Sequence, residues 1–472
     1  MSPQRRPTRG KERKRAGRRG QGRSRRSSSR DGDPGRRGDA ARTRPPRPDL
    51  VDAVVLEVHG LVHDQGWLAD RALERALRRE RSLWASERRA VAETVYGVVR
   101  WQGQLDALLG GRPDLATRYA AYLARFGGVR PEDAARRLAV APGALAPLAG
   151  AAARIAAEED PVARLALEAS LPRWIAERFV AELGEGEGRA LATAMNARAP
   201  LTVRANLLVS ERDALRARLL DEGIASEPTR FSPWGLVLDG HQNAFALPAF
   251  RDGAFEIQDE GSQLIALACG ARPGWIVVDA CAGAGGKSLA LAMEMRNKGS
   301  LHALDTDADR LADARKRARR GHVHNLRARV IAAGPEASAE LEDLAGKADL
   351  VLVDAPCSGL GTLRRKPDAR WRLAPEDPAR FAELQRTLVA RFAALVRPGG
   401  RLVYATCAIG RTENADVADF AEREAGLVPV PLAARLGEER AAALGAEGGR
   451  LVLLPHRHGT DGFFVAAFER KR

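Results

Sequence analysis

Cysteine is scarce in this chain, with Cys269, Cys281, Cys357 and Cys407 as the only four in 472 residues. So few cannot make a disulfide framework, and no C-x-x-C or Cys/His cluster points to zinc. No run of eighteen apolar residues occurs, which excludes a spanning helix. The basic beginning lacks the apolar stretch of a secretory signal, so a reducing cytoplasm is the expected setting. Beyond residue 49 the chain is also nearly empty of net charge. Residues 1–49 hold 18 Lys or Arg against five acids, a net of +13 out of +15 for the whole, leaving +2 for the rest. This Arg-, Gly-, Ser- and Pro-rich tail cannot pack a core, and it is expected to be a disordered arm that grips phosphates.

What remains after the tail divides by pattern. Residues 50–170 read as helical: Leu50, Val54, Val55, Val58 and Leu61 recur at helical spacing, as do Val91, Val95, Val98, Leu105 and Leu108. The Ala-rich stretch 127–170, broken by Pro131, Pro142 and Pro147, reads as short helices. Residues 171–255 mix strand and helix, with Leu201–Asn206 as the clearest strand. From 256 to 472 apolar runs alternate with helical segments: Trp275–Val278, Leu301–Leu304, Arg329–Ile331, Leu350–Val353 and Arg401–Ala405, then Leu451–Leu454 and Phe463–Phe468 as a final hairpin. That rhythm predicts an α/β fold with a doubly wound, largely parallel sheet, whose ligands bind beyond the carboxyl ends of the strands.

The residues following each run are therefore the informative ones. After the first run comes Asp279-Ala-Cys281-Ala-Gly-Ala-Gly-Gly-Lys287-Ser288. Gly286-Lys287-Ser288 could end a phosphate-binding P-loop, and Asp354 would then imitate the magnesium-holding strand, but Cys281 occupies the place of the required first glycine. Alternatively this is a nucleoside-cofactor turn, which needs an acid after the second strand for ribose hydroxyls. Asp305 stands there. The turn alone leaves both readings open and favours the second.

Two thiols narrow the choice. Asp354-Ala-Pro-Cys357 follows the fourth run and Thr406-Cys407 the fifth, so neighbouring strand ends bring both cysteines to one rim beside the cofactor turn. Cys269, inside a helical apolar segment, reads instead as a small buried hydrophobe. A pair of thiols there fits methylation of pyrimidine carbon 5. That carbon is too weak a nucleophile until a thiolate adds to carbon 6, and the thiol must later be expelled. A carboxyl such as Asp354 can hydrogen-bond the activated base at nitrogen 3 and the exocyclic amine.

Cys281–Lys287, Leu304-Asp305, Asp354–Gly359 and Tyr404-Ala-Thr-Cys407 together resemble the bacterial RNA cytosine-5 methyltransferases of the Sun/Fmu (RsmB-like) family. So do Gln258-Asp-Glu-Gly-Ser-Gln263, Arg364-Arg-Lys-Pro-Asp368 with Trp371, Glu413-Asn414 and Asp461-Gly-Phe-Phe464. The resemblance spans about 210 residues in the family's order. It implies the class I S-adenosylmethionine-dependent fold, with a seven-stranded sheet whose last hairpin is antiparallel. It implies Cys407 as nucleophile and Cys357 as the group aiding release. Cys281, Ala282, Gly283, Ala284, Gly285, Gly286 and Lys287 would wrap the methionine part of the cofactor and Asp305 its ribose, with Lys287 and Asp354 between cofactor and base.

Upstream, Arg204-x-Asn206 resembles a strand of the family's small α+β RNA-binding subdomain, and Ala92–Trp101 part of an all-α NusB-like domain. The latter implies ribosomal RNA, 16S before tRNA, as partner, read as single-stranded or splayed bases. The expected division is thus a tail (1–49), a helical NusB-like domain (50–170), an α+β subdomain (171–255) and a methyltransferase domain (256–472), working as a monomer. The chain departs from the family at Ala284, where proline is usual, at Ala408, where serine is usual, and after the third strand. There Ile331-Ala-Ala-Gly-Pro-Glu336 lacks the Asp that contacts adenine. A second reading is an inactive RNA-binding assembly factor.

Overall fold

The structure is a computed structural model and describes residues 47–240 and 243–472; residues 1–46 of the expected tail lie outside the described residues. Helix α1 (Pro48–His63) begins inside the expected tail, because Pro48 sits at a first-turn position where its missing N–H costs nothing. Arg47 is tied to the buried Glu87 carboxylate. Helices α2 (Ala69–Arg79), α3 (Ala85–Leu108) and α4 (Leu115–Phe126) follow. Val54, Val55 and Val58 of α1 bury against Val91, Val95 and Leu105 of α3 and Tyr119 and Ala120 of α4 in one core. The Ala-rich stretch does form short helices, α5 (Pro131–Arg137), α6 (Ala151–Ala156) and α7 (Pro161–Ala169). Pro131 and Pro161 open helices there rather than ending them. Helices α8 (Arg173–Leu183) and α9 (Glu185–Ala194) lead into the first sheet.

That sheet is antiparallel, in the order β2 (Ser226–Pro228), β3 (Gly235–Leu238), β1 (Leu201–Ala205), β4 (Phe255–Ile257). Helix α10 (Arg212–Asp221) and the one-turn α11 (Pro248–Arg251) cover it through Leu215, Leu219 and Phe250. Its last strand reaches Ile257, two residues beyond the expected boundary at 255.

Helix α12 (Glu260–Cys269) is capped by the Asp259 carboxylate, which accepts from Gly261 N at 2.9 Å. Strands β5 (Ile276–Asp279), β6 (Ser300–Asp305), β7 (Leu326–Val330), β8 (Ala348–Asp354) and β9 (Val396–Thr406) run parallel in the order β7-β6-β5-β8-β9. Helices α13 (Gly286–Glu294), α14 (Ala308–Arg320), the one-turn α15 (Ala369–Arg372) and α16 (Asp377–Ala393) lie between them, and α17 (Ala415–Arg423) follows β9. Side chains alternate along the strands as the pleat demands. Val277, Leu350, Leu352 and Val403 face α12 and α13, whereas Val278, Val351, Val353 and Tyr404 face α16 and α17.

The expected final hairpin is present, as β11 (Arg450–Leu453) paired antiparallel with β12 (Phe463–Arg470), and β12 continues the sheet antiparallel to β9. An eighth strand, β10 (Leu427–Pro429), extends the seven expected. It pairs with Phe468–Arg470, so two short pieces share the outer edge of β12. Three residues carry too little alternation to be read as a strand. Among the described residues no helix is long and apolar enough to cross a membrane.

Candidate active site

Strand order reverses at β5, and a cavity of 540 Å³ lies there, beyond the carboxyl ends of the parallel strands. Each strand end contributes. The turn after β5 passes through Gly283 (φ +54°) and Gly285 (φ +82°), both in the left-handed region that glycine adopts without strain. A Cβ at Gly285 would also come within 2.9 Å of Ala314 Cβ on α14. At the end of β6, Asp305 accepts hydrogen bonds from Gly283 N (2.6 Å) and Asp307 N (2.9 Å), which fixes its carboxylate at the cavity wall. Asp279 is buried and accepts from Ser288 Oγ at 2.6 Å; burial pushes its pKa up to about 7. Cys281 lines the cavity, and burial pushes its thiol up.

At the other end stand the two remaining sequence-predicted thiols. Cys357 Sγ lies 3.3 Å from Cys407 Sγ, and Cys407 N donates to Cys357 Sγ at 3.3 Å. The hydrogen bond between the sulfurs lowers the Cys407 pKa and, together with burial, raises that of Cys357. Of the two, Cys407 is therefore the more acidic thiol. Lys287 Nζ donates to Asp354 Oδ2 at 2.7 Å and sits 5.8 Å from the Phe463 ring centroid. Burial opposes its charge, but Asp354 outweighs this and its pKa is raised. Lys287 also favours the Cys407 thiolate, while Asp354 opposes it.

One carboxylate holds the Cys357 loop. Glu413 accepts from Ser358 N (2.8 Å) and Ser358 Oγ (2.6 Å), and its neighbour Asn414 accepts from Thr406 Oγ1 (2.5 Å) beside Cys407. Gln385 Nε2 bridges Pro356 O and Glu413. Two other clefts are as large, 690 Å³ beside α4 and α5 and 800 Å³ around Arg88, Arg198 and Arg365, and neither contains a cysteine.

Comparison with known proteins agrees with this geometry. The family model described as 16S rRNA methyltransferase RsmB/F matches residues 266–469, and that of the RsmF/B-like ferredoxin-like domain matches 171–244. The probable ribosomal RNA small subunit methyltransferase B of Bacillus subtilis is 36% identical over 315 residues, covering 66% of this chain and 69% of the relative. The protein of the same name from Synechocystis is 31% identical, covering 85% and 95%. The crystal structure of PH0851 superposes with a TM-score of 0.72 at 25% identity, covering 90% of this chain and all of the other. The chain belongs to the RsmB/F methyltransferase family.

S-adenosylmethionine is the methyl donor of this RsmB/F methyltransferase, and the cavity suits it. Asp305 offers a carboxylate for paired hydroxyls, and the Cys281–Lys287 turn brings backbone close to the ligand space. Ile331 and Ala333 after β7, with Leu388 and Phe392 of α16, line an apolar side of the cavity. Arg391 donates to Ala332 O at 3.3 Å, holding that edge from α16.

Two readings needed the tertiary structure. Arg204 and Asn206 are buried. Arg204 Nη1 donates to Gly286 O (3.3 Å), Arg317 Nη1 to Ala284 O (2.8 Å), and Asn206 Nδ2 to Gly253 O and Gly321 O. The Arg-x-Asn strand thus braces the back of the cofactor turn. Lys366, Arg372, Arg310 and Arg391 line the cavity without having been singled out. The first two lie in the stretch Arg364–Arg372, whose density of cations was the available signal; the others are isolated helix residues with none.

Proposed function

We propose that the chain methylates carbon 5 of a cytosine in ribosomal RNA, 16S in particular, through a covalent bond between Cys407 and carbon 6, as a monomer in the cytoplasm. The observation that carries this reading is the 3.3 Å approach of the two thiols, Cys407 the more acidic of them, at one end of a cavity whose other end holds Asp305. When bound, S-adenosylmethionine supplies an electrophilic methyl group. The chain's residues do the rest. Cys407 as thiolate adds to carbon 6 and makes carbon 5 nucleophilic. Asp354, held by Lys287, is placed to hydrogen-bond the base edge where charge develops. After methyl transfer a water molecule takes the carbon 5 proton, the electrons of that C–H bond re-form the double bond, and the Cys407 sulfur departs as thiolate; Cys357, hydrogen-bonded to that sulfur, aids its release. The Cys281–Lys287 turn and Asp305 hold the donor.

The small-subunit names of the relatives support 16S as the RNA. Incubation of the protein with labelled S-adenosylmethionine and unmodified ribosomal RNA, followed by nucleoside mass spectrometry, tests this. Label is expected in 5-methylcytosine of 16S RNA. Cys407→Ala should lose turnover by at least about 10³-fold, and Cys357→Ala should leave a protein–RNA adduct that survives denaturation. Turnover by the Cys407 variant would refute the mechanism.

A further inference from the structure

We propose that the α1–α9 helices latch the cavity wall formed by residues 359–372, which makes Trp371, with Gly103 of α3, a positioning pair for methyl transfer. The proposal rests on the reading of Cys407 as nucleophile.

The wall contains only a 3-10 turn (Leu360–Thr362) and the single turn α15, too little backbone structure to hold itself. Yet it supplies Thr362, Lys366, Ala369 and Arg372 to the cavity, beside Cys407. Arg364 and Arg365 tie it to Asp461, Gly361 N donates to Cys407 O at 2.8 Å, and further support comes from the helices behind. Trp371 Nε1 donates to Val99 O on α3 at 2.6 Å. The indole packs on Gly103, where a Cβ would stand 2.4 Å from Trp371 Cη2 and 3.0 Å from Cζ3. Arg100 Nη2 donates to Arg364 O at 3.0 Å. Arg370 is fully buried and donates from Nη1 to Ser170 O and Asn196 Oδ1, each at 3.0 Å. Leu360 and Leu363 share an apolar cluster with Ile175, Phe179 and Leu191 of α8 and α9.

The wall therefore faces two ways. Arg370, Trp371 and the Arg364 carbonyl anchor it to the helices, while Lys366 and Arg372 present cations to the cavity. Lys366 is close enough for its charge to favour the Cys407 thiolate. Alanine forms helices better than glycine, so a glycine inside α3 is explained by the ring it admits.

Gly103→Ala pushes the ring out, and Trp371→Phe removes the Val99 bond without a clash. Three readouts on the purified full chain test the latch: kcat on ribosomal RNA, KM for S-adenosylmethionine, and the pH midpoint of Cys407 alkylation by iodoacetamide, followed by peptide mass spectrometry. Each variant should lower kcat by between about tenfold and about a hundredfold and leave the cofactor KM within about twofold. The alkylation midpoint should move to higher pH. Gly103→Ala should cost less in the Trp371→Phe background than alone, since the shorter ring relieves the overlap. A folded Gly103→Ala or Trp371→Phe protein with wild-type kcat and wild-type alkylation midpoint overturns the latch. Failure of the wild-type chain to make 5-methylcytosine overturns the chemistry instead, and the alkylation midpoint still reports the wall.

Discussion

The two ends of the cavity are built in opposite ways. At the cofactor end, the Cys281–Lys287 turn and Asp305 come from one β–α–β unit, and their key contact, Gly283 N to Asp305, joins residues 22 apart. At the thiol end, Cys357 and Cys407 are 50 residues apart and depend on Glu413, on Phe463 and on a wall anchored to α3. The first end is set mainly by contacts within that unit, with Arg204 bracing it from behind. The second is a meeting of distant segments. Damage to one should therefore leave the other largely working.

The largest expected separation is at the thiol end. Glu413→Ala leaves the buried Ser358 and Gln385 donors without their acceptor, each worth about 1–3 kcal/mol. Turnover should fall on the order of 10²-fold while cofactor affinity, read by calorimetry, stays near wild type. Equal loss of both would erase the distinction between the ends.

Asp305→Ala is the reciprocal and smaller test. Loss of the carboxylate that holds Gly283 N should weaken S-adenosylmethionine binding by about tenfold to a hundredfold, or ~1.4–2.7 kcal/mol. The pH midpoint of Cys407 alkylation should not move. A shift there would mean the two ends are coupled.

The smallest effect sharpens the comparison from behind the cofactor turn. Burial pushes Glu294, at the end of α13, up to about 8. The folded state therefore prefers the neutral acid. Its stabilising share is complete below the ordinary value of about 4 and is lost as pH rises through 8. Glu294→Gln should gain stability relative to wild type as pH rises from 5 to 8.5, as read by urea midpoints. A pH-independent difference would show that the carboxyl does not titrate there.

Much of this architecture was legible in advance, because periodicity and strand-end residues carry local information. The alternation of Val277 with Val278 and of Leu350 with Val351 already implies a sheet covered on both faces, and Asp305 is recognisable as the acid after the second strand. Strand β10 was not legible, since three residues hold no period. Nor was the burial of Arg204, because a strand arginine reads the same whether it meets solvent or a carbonyl.

What the sequence alone determined is the residue types and their order along the chain: a glycine turn, an acid, then two thiols, each after an apolar run. Chemistry of that kind is written in side-chain identity and survives without coordinates. What only the tertiary structure decided is which thiol is the more acidic, what holds each loop, and that Trp371 reaches across from the cavity wall to Gly103. Those facts depend on distances between segments far apart in the chain. A hydrogen bond or a shifted pKa depends on ångströms of separation and on burial, and neither has a signature in residue order.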